Sequence, residues 1–294
     1  MKILVTGGAG FIGTNLIKRL LSEGYKVHSL DNYDSGLVKN HQEGCKYING
    51  DLETIECIKG EEYDLCFHLA ALSRIQPSFE NPTETFRVNV KGTEAVMEWA
   101  RANNVKVVYA GSSSKWHDPT ISPYAMYKYL GEEVCKLYRK TFNVNVEICR
   151  FYNVYGPNEI VDGDWAAVIG IWRNQVNKGE AITIVGDGEQ RRDFTHVDDI
   201  VDGLYKVGLS STSLKDAWEL GTGINYSINE VYQMFKNKFK VECVYIKDQP
   251  GNYRKTLREN NKTLDLLGWK PQDRLLYYIN KLDKDDNKLR NNSL

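Results

Sequence analysis

The chain has 294 residues, with Lys+Arg 38 against Asp+Glu 39 and a formal net charge of -1. Hydrophobic residues at 41% and charged residues at 26% are ordinary values for a globular protein with chain enough to bury a core. That balance excludes a basic nucleic-acid coat and an acidic solvating tail, and no apolar run is long enough to span a bilayer. The first residues, MKILVTGGAG, do not read as a signal peptide, and six scattered cysteines without a C-x-x-C pair read as reduced thiols. A cytoplasmic protein without disulfides, metal, membrane or nucleic-acid partner is expected.

In chain order, KILVT at 2–6 is a buried strand, followed by a glycine turn and the helical pattern FIGTNLIKRLLSEG. Strand patterns YKVHSLD, KYING and YDLCFHLA come next, then a helical stretch over 83–103 leading into VKVVYAGS. A helix over 124–141 leads into VNVEICRFY. This alternation predicts an α/β fold, a Rossmann-type doubly wound parallel sheet with helices on both faces. Beyond Gly156-Pro157 the pattern predicts a helix at 165–178, a strand AITIVG, a helix at 197–208, a strand AWELG and a helix opening at Ser227. Ser227 and Glu230 have the spacing of a capping box. The expected organisation is a dinucleotide-binding domain over 1–160, a smaller C-terminal α/β lobe over 161–282 with interleaved strands, and a polar tail over 283–294.

Residues 6–13, TGGAGFIG, place Gly7, Gly10 and Gly13 between a strand and a helix. There glycines admit a pyrophosphate to the helix N-terminus, with Phe11 and Ile12 supplying first-turn N–H groups. The second strand ends at Asp31, 18 positions after Gly13, where an acid accepts from ribose hydroxyls and repels a 2′-phosphate. With Asn32 next and no nearby Arg, NAD is favoured over NADP.

The strand VKVVYAG runs into Ser112, Ser113 and Ser114, and Tyr124 stands four residues before Lys128 on one helical face. A phenol normally ionises near pH ~10; a neighbouring ammonium favours the phenolate, which can then take a proton from a substrate hydroxyl. A serine hydroxyl can hold the same oxygen.

Together TGGAGFIG, Asp31, Gly50-Asp51-Leu52, HLAA at 68–71, VNVKGT at 88–93, YAMYK, RFYNVYGP at 150–157 and GDGEQRRDF at 186–194 resemble the extended short-chain dehydrogenase/reductases. Within them, the chain is similar to the nucleotide-sugar epimerases and dehydratases from Met1 to about Lys270. The resemblance implies Ser112, Tyr124 and Lys128 as the catalytic trio. It also implies that Asp51 and Leu52 flank adenine, and that Leu69, Ala70, Ala71 and Asn89 lie along the cofactor, with Lys128 on the nicotinamide ribose. His68 reads equally as a core histidine or as a contact.

For substrate, the resemblance implies Ser112 and Ser113 at the sugar and Asn153 and Arg192 at a diphosphate. Gln249 and Asn252 replace the family's Arg and Asp, so Arg254 is expected to supply a second fork, while Arg191 reads as a solvated neighbour. Thr256 corresponds to the position that limits room at C2 of the hexose. Ser113 and Ser114 occupy the place of the dehydratases' Asp-Glu pair, which disfavours dehydration and decarboxylation. The expected activity is NAD-dependent epimerisation of a nucleoside-diphosphate sugar, foremost at C4 of a UDP-hexose, in a homodimer paired through the helices at 83–103 and 124–141. An NAD(P)-dependent nucleotide-sugar oxidoreductase, either a 4-keto-sugar reductase or a dehydratase, and a non-catalytic NAD-binding regulator are the alternatives. Ser112 and Tyr124 are only 12 positions apart, shorter than in the family, which brings Trp116 and His117 near the mouth of the site. The sequence leaves open whether Trp116 stacks on a base or covers apolar surface, and whether His117 faces solvent or acts in proton transfer.

Overall fold

The structure, a computed structural model, describes residues 1–58 and 60–283, so the expected polar tail lies outside the described residues beyond its first position. The first half contains β1 (Lys2–Thr6), α1 (Phe11–Ser22), β2 (Lys26–Asp31), β3 (Lys46–Asn49), β4 (Leu65–His68), α2 (Ile75–Glu80), α3 (Pro82–Phe86), α4 (Gly92–Asn103), β5 (Lys106–Ser112), α5 (Pro123–Phe142) and β6 (Val146–Phe151). The second half adds β7 (Val154–Tyr155), α6 (Val168–Lys178), β8 (Ile182–Val185), β9 (Arg191–Asp193), β10 (Thr195–His196) and α7 (Val197–Leu209). It ends with β11 (Trp218–Leu220), β12 (Asn225–Ser227), α8 (Ile228–Phe239), β13 (Cys243–Ile246), α9 (Lys262–Leu267) and α10 (Leu275–Lys281).

Seven strands form one sheet in the order β11-β6-β5-β4-β1-β2-β3, all paired in parallel. Strands β1, β4 and β5 in its middle are almost wholly buried, and their alternate residues feed different cores, whereas the edge strand β3 is only partly covered. Ile3 and Val5 pack with Leu16, Ile17 and Leu204 beneath α1 and α7, whereas Leu4 packs with Val96, Met97 and Tyr138 beneath α4 and α5. Strand order reverses between β1 and β4, and ligands of such sheets bind at the carboxyl ends beside that crevice. A third core, including Trp172, Ile184, Val231, Phe235 and Ile279, fills the C-terminal portion. There β8 pairs with β13, β9 with β12 and β7 with β10.

Capping explains where α5 begins. Ser122 Oγ accepts from the Ala125 N–H at 3.1 Å and Pro123 occupies the first turn, fixing Tyr124 one residue inside the helix. The capping box at Ser227 and Glu230 forms as its spacing predicts. The single helix expected over 83–103 is instead α3, a π-helical turn at Arg87–Lys91, and α4. Asn89 sits inside that wide turn, where Thr93 Oγ1 donates to its carbonyl at 2.8 Å. Turn-rich sequence concealed β13, α9 and α10, which are short and rest on the third core or against β11.

Candidate active site

A single continuous cavity of about 670 Å³ runs along the carboxyl ends of the strands, from the glycine turn to the C-terminal portion. At one end, Gly7 holds φ +71°, and a Cβ there would lie 2.8 Å from the Ala70 backbone; a Cβ on Gly13 would meet the Gly7 carbonyl at 2.2 Å. These two glycines let the turn close. Gly10 differs: an added Cβ would meet only the Gly7 carbonyl, at 3.2 Å, and the residue lines the cavity. Gly10 also caps α1 without a side-chain bond, so the first-turn N–H groups of Phe11 and Ile12 lack an intrahelical or side-chain acceptor. The end of α1 is therefore a cradle for a pyrophosphate.

Asp31 closes this end. Its carboxylate accepts from the Ala9 N–H at 2.9 Å and the Tyr33 N–H at 2.8 Å, and it lines the cavity with Asn32 and Ser35. Asp51 and Leu52 form the next wall. The Arg87 fork holds Asp51 with two bonds of 3.0 Å and keeps its carboxyl below the usual range. Leu69, Ala70 and Ala71 line the floor. His68 does not: Nδ1 meets Thr6 Oγ1 at 2.8 Å, Nε2 meets Thr93 Oγ1 at 3.2 Å, and burial lowers its pKa to about 3. It is a neutral core histidine. Asn89 is likewise turned from the cavity, its amide spanning the Leu72 N–H and carbonyl at 2.8 and 2.9 Å. It shapes the loop that carries Ala70 and Ala71. The observed residues fit an adenine dinucleotide whose ribose meets an acid.

At the centre, β5 delivers Ser112 and α5 delivers Tyr124 and Lys128. The Tyr124 hydroxyl donates to Ser112 Oγ at 3.3 Å. Burial raises the phenol's pKa, while the Ser112 hydroxyl and then the Arg74 guanidinium pull it down. The Lys128 ammonium is buried on the Ala110 carbonyl and lies 4.6 Å from the Tyr109 ring centroid; burial lowers its pKa to about 8. The cation drawing Tyr124 toward the phenolate in this structure is thus Arg74. Sequence reasoning missed it, although an Arg in the loop after a buried strand end is the kind of residue that meets ligands.

At the far end, Arg192 lines the cavity, its Nη1 donating to the Arg191 carbonyl at 3.0 Å, and burial lowers its pKa to about 10. No described carboxylate pairs with it. Asn153 lines the same wall, but its Nδ2 donates to Thr256 Oγ1 at 2.8 Å, leaving its carbonyl oxygen to face other partners. Thr256 and Gln249 line the cavity as well.

Arg254 departs from expectation: it is exposed and bonds both Asp187 oxygens, at 3.0 and 3.1 Å, outside the main cavity. The carboxylate at the turn after β8 competes for its fork. Arg191 is not simply solvated; it bonds Asn225 and pairs with Glu230 at 3.0 Å. Asp193, wholly buried, accepts from the N–H groups of Thr222, Gly223 and Arg258 at 2.9, 3.0 and 3.0 Å, and so ties the strand of Arg192 to the segment of Thr256. Nothing in its sequence context announced that hub.

The short connection between Ser112 and Tyr124 is anchored rather than loose. Trp116 Nε1 donates to Tyr152 Oη at 3.2 Å, and its ring lies over the buried Arg150 at 5.1 Å. It does not line the cavity, and more than half of it is exposed. His117 stacks on Tyr253, with centroids 4.0 Å apart, and burial together with Arg192 lowers its pKa. It is a partly buried ring packed against Tyr253.

A parallel sheet with a glycine cradle, an acid at the second strand and a Ser-Tyr-Lys trio defines a dinucleotide-dependent α/β enzyme of the short-chain dehydrogenase type. The model of the NAD dependent epimerase/dehydratase family matches residues 3–221, and the chain belongs to that family. The Mycolicibacterium smegmatis UDP-glucose 4-epimerase is 30% identical over 301 residues, 92% of this chain and 94% of the relative. The Thermotoga maritima UDP-glucose 4-epimerase solved with UDP-glucose superposes with a TM-score of 0.91 at 28% identity, covering 99% of both chains. The Bacillus cereus UDP-glucuronic acid 4-epimerase solved with UDP-glucuronic acid and NAD gives 0.87 at 25% identity, covering 99% of this chain and 100% of that one.

Proposed function

We propose that the protein interconverts C4 epimers of a UDP-hexose through a transient 4-keto sugar. The observation that carries this reading is the Ser112–Tyr124 hydrogen bond of 3.3 Å, placed between the dinucleotide cradle and Arg192 in one cavity. Tyr124 takes the proton of the C4 hydroxyl, and Ser112 holds that oxygen. NAD, when bound, supplies a hydride acceptor and donor at C4 that is regenerated within each turnover. Lys128, beside the carbonyl of Ala110, is placed for a ribose at the cradle's inner end. Arg192 offers a fork to the diphosphate, anchoring the nucleotide while the sugar turns over. The names of the relatives support a UDP-sugar, and Ser113 and Ser114 supply no acid–base pair for dehydration.

The reading extends to assembly and compartment. Exposed Leu137 and Phe142 on α5 support a homodimer pairing α4 and α5 of two copies, and six free cysteines support a reducing cytoplasm. Among the described residues no helix is long and apolar enough to cross a membrane. The test is incubation with UDP-glucose, UDP-N-acetylglucosamine and UDP-glucuronate without added cofactor, followed by NMR. Formation of the C4 epimer without net NADH supports the proposal; accumulation of a 4-keto or deoxy sugar contradicts it.

A further inference from the structure

Arg74 favours the Tyr124 phenolate, but the reaction described above gives its guanidinium no ligand of its own. It stands between β4 and α2, and its side chain crosses to the opposite wall, where Nε donates to the Trp165 carbonyl at 2.9 Å. Nη1 donates to the Ser73 carbonyl at 3.1 Å. Among the described residues Nη2 makes no hydrogen bond and no carboxylate pairs with the guanidinium. Glu159 is the nearby acid and its charge acts on Arg74, but it makes no ion pair with the guanidinium: Oε1 is held by Arg173 at 2.9 Å and Tyr278 at 3.0 Å, and the buried Oε2 makes no hydrogen bond among the described residues. A guanidinium held this way, with a donor edge unspent on a cavity wall that includes Ile75 and Ala166, wants an anion from outside the chain.

The site of that anion follows from what surrounds Arg74. A dinucleotide pyrophosphate belongs at the first turn of α1, and the substrate diphosphate belongs at Arg192. Arg192 lines the far part of the cavity with Tyr253 and Thr256, whereas Arg74 lines it with Tyr124 and directly precedes α2, whose Ser78 Oγ accepts from the Tyr124 N–H at 3.1 Å. An anion at Arg74 is therefore carried by the sugar itself, close to C4. In a hexuronic acid the carboxylate is attached to C5, next to C4, and a planar guanidinium edge matches it in a bidentate pair. We infer that Arg74 is a specificity-determining residue, and that the preferred substrates are nucleoside-diphosphate hexuronic acids. A neutral hydroxymethyl group at C5 would leave the guanidinium without its ion partner. This inference rests on the proposed nucleotide-sugar site, but binding tests it without requiring turnover.

The experiment is calorimetric titration of the Tyr124→Phe holoenzyme with UDP-glucuronate and with UDP-glucose, in proteins carrying Arg74, Arg74→Lys or Arg74→Gln. With Arg74, UDP-glucuronate should bind about 10- to 100-fold more tightly than UDP-glucose, the range of one charge-assisted bidentate contact. Arg74→Gln should erase that preference while leaving UDP-glucose affinity within about threefold, and Arg74→Lys should retain part of it. Equal affinities with Arg74 present, a preference that survives Arg74→Gln, or equal losses for both sugars would overturn the inference. Those outcomes leave epimerisation of a neutral UDP-hexose untouched. Conversely, an Arg74-dependent preference in a protein that forms no epimer would retire the proposed reaction and keep the recognition site.

Discussion

Tyr124 and Lys128 share one helical face yet face different electrostatic problems. The proposed reaction asks Tyr124 for its phenolate, and burial opposes it; Ser112 and Arg74 offset part of that penalty. Replacing Tyr124 with Phe should lower the rate of epimerisation by about 10²- to 10⁴-fold, the usual worth of a positioned acid–base group, without loss of fold. Steady-state kinetics with circular dichroism would check both halves. Lys128 is buried as a cation, and its pKa falls from 10.5 to about 8. Between those values the unfolded chain binds the extra proton, so the stability contributed by this site rises with pH across that window. Below pH 8 the burial cost is fully present. Lys128→Met should therefore be inactive yet show a higher Tm than the parent at pH 7, and the difference should shrink toward pH 10. A lower Tm at pH 7 would contradict this account. At this scale the sequence was informative where a short motif fixes geometry, as for Gly7, Asp31, Ser112, Tyr124 and Lys128. It was silent where a role depends on distant partners: Arg74 is set by Trp165, and Arg254 is claimed by Asp187.

Among the elements, the connection from Ser112 to Tyr124 shows how a short loop is held in place. Arg150 on β6 is fully buried and pairs with Glu132 of α5 at 2.9 Å, Glu219 of β11 at 2.8 Å and Asp216 at 2.9 Å. Trp116 lies over this network and so pins the loop to the edge of the sheet. Arg150→Ala would strand two buried carboxylates and should cost about 3–5 kcal/mol of stability, read by denaturant unfolding. A loss under about 1 kcal/mol would show that the network is solvated and does not organise the loop. The β-α alternation of the first half was legible because buried parallel strands and amphipathic helices repeat with clear periods. The π-helical turn at Arg87–Lys91 was not, because one extra residue in a helix leaves no mark on apolar spacing. The short pairs β8–β13 and β9–β12 were equally hidden, since their partners lie far apart in the chain.

For the whole molecule, one cavity joins two kinds of lining. Its first half is backbone and acid, its second half is arginine, and the Ser-Tyr pair sits where they meet. The near-zero net charge of the chain thus conceals opposed local charges, with Asp31 at one end and Arg74 and Arg192 toward the other. The proposed homodimer predicts a light-scattering mass near twice the 33.7 kDa of the chain; a mass equal to one chain would contradict it. The central claim is that the hydrogen on C4 leaves and returns as hydride without exchanging with solvent, while Tyr124 and Ser112 manage only the hydroxyl. It is tested most directly by turning over UDP-glucose and UDP-glucuronate deuterated at C4 in ordinary water and reading the product by NMR. Full retention of deuterium at C4 of the epimer is predicted; its replacement by solvent hydrogen would contradict the account.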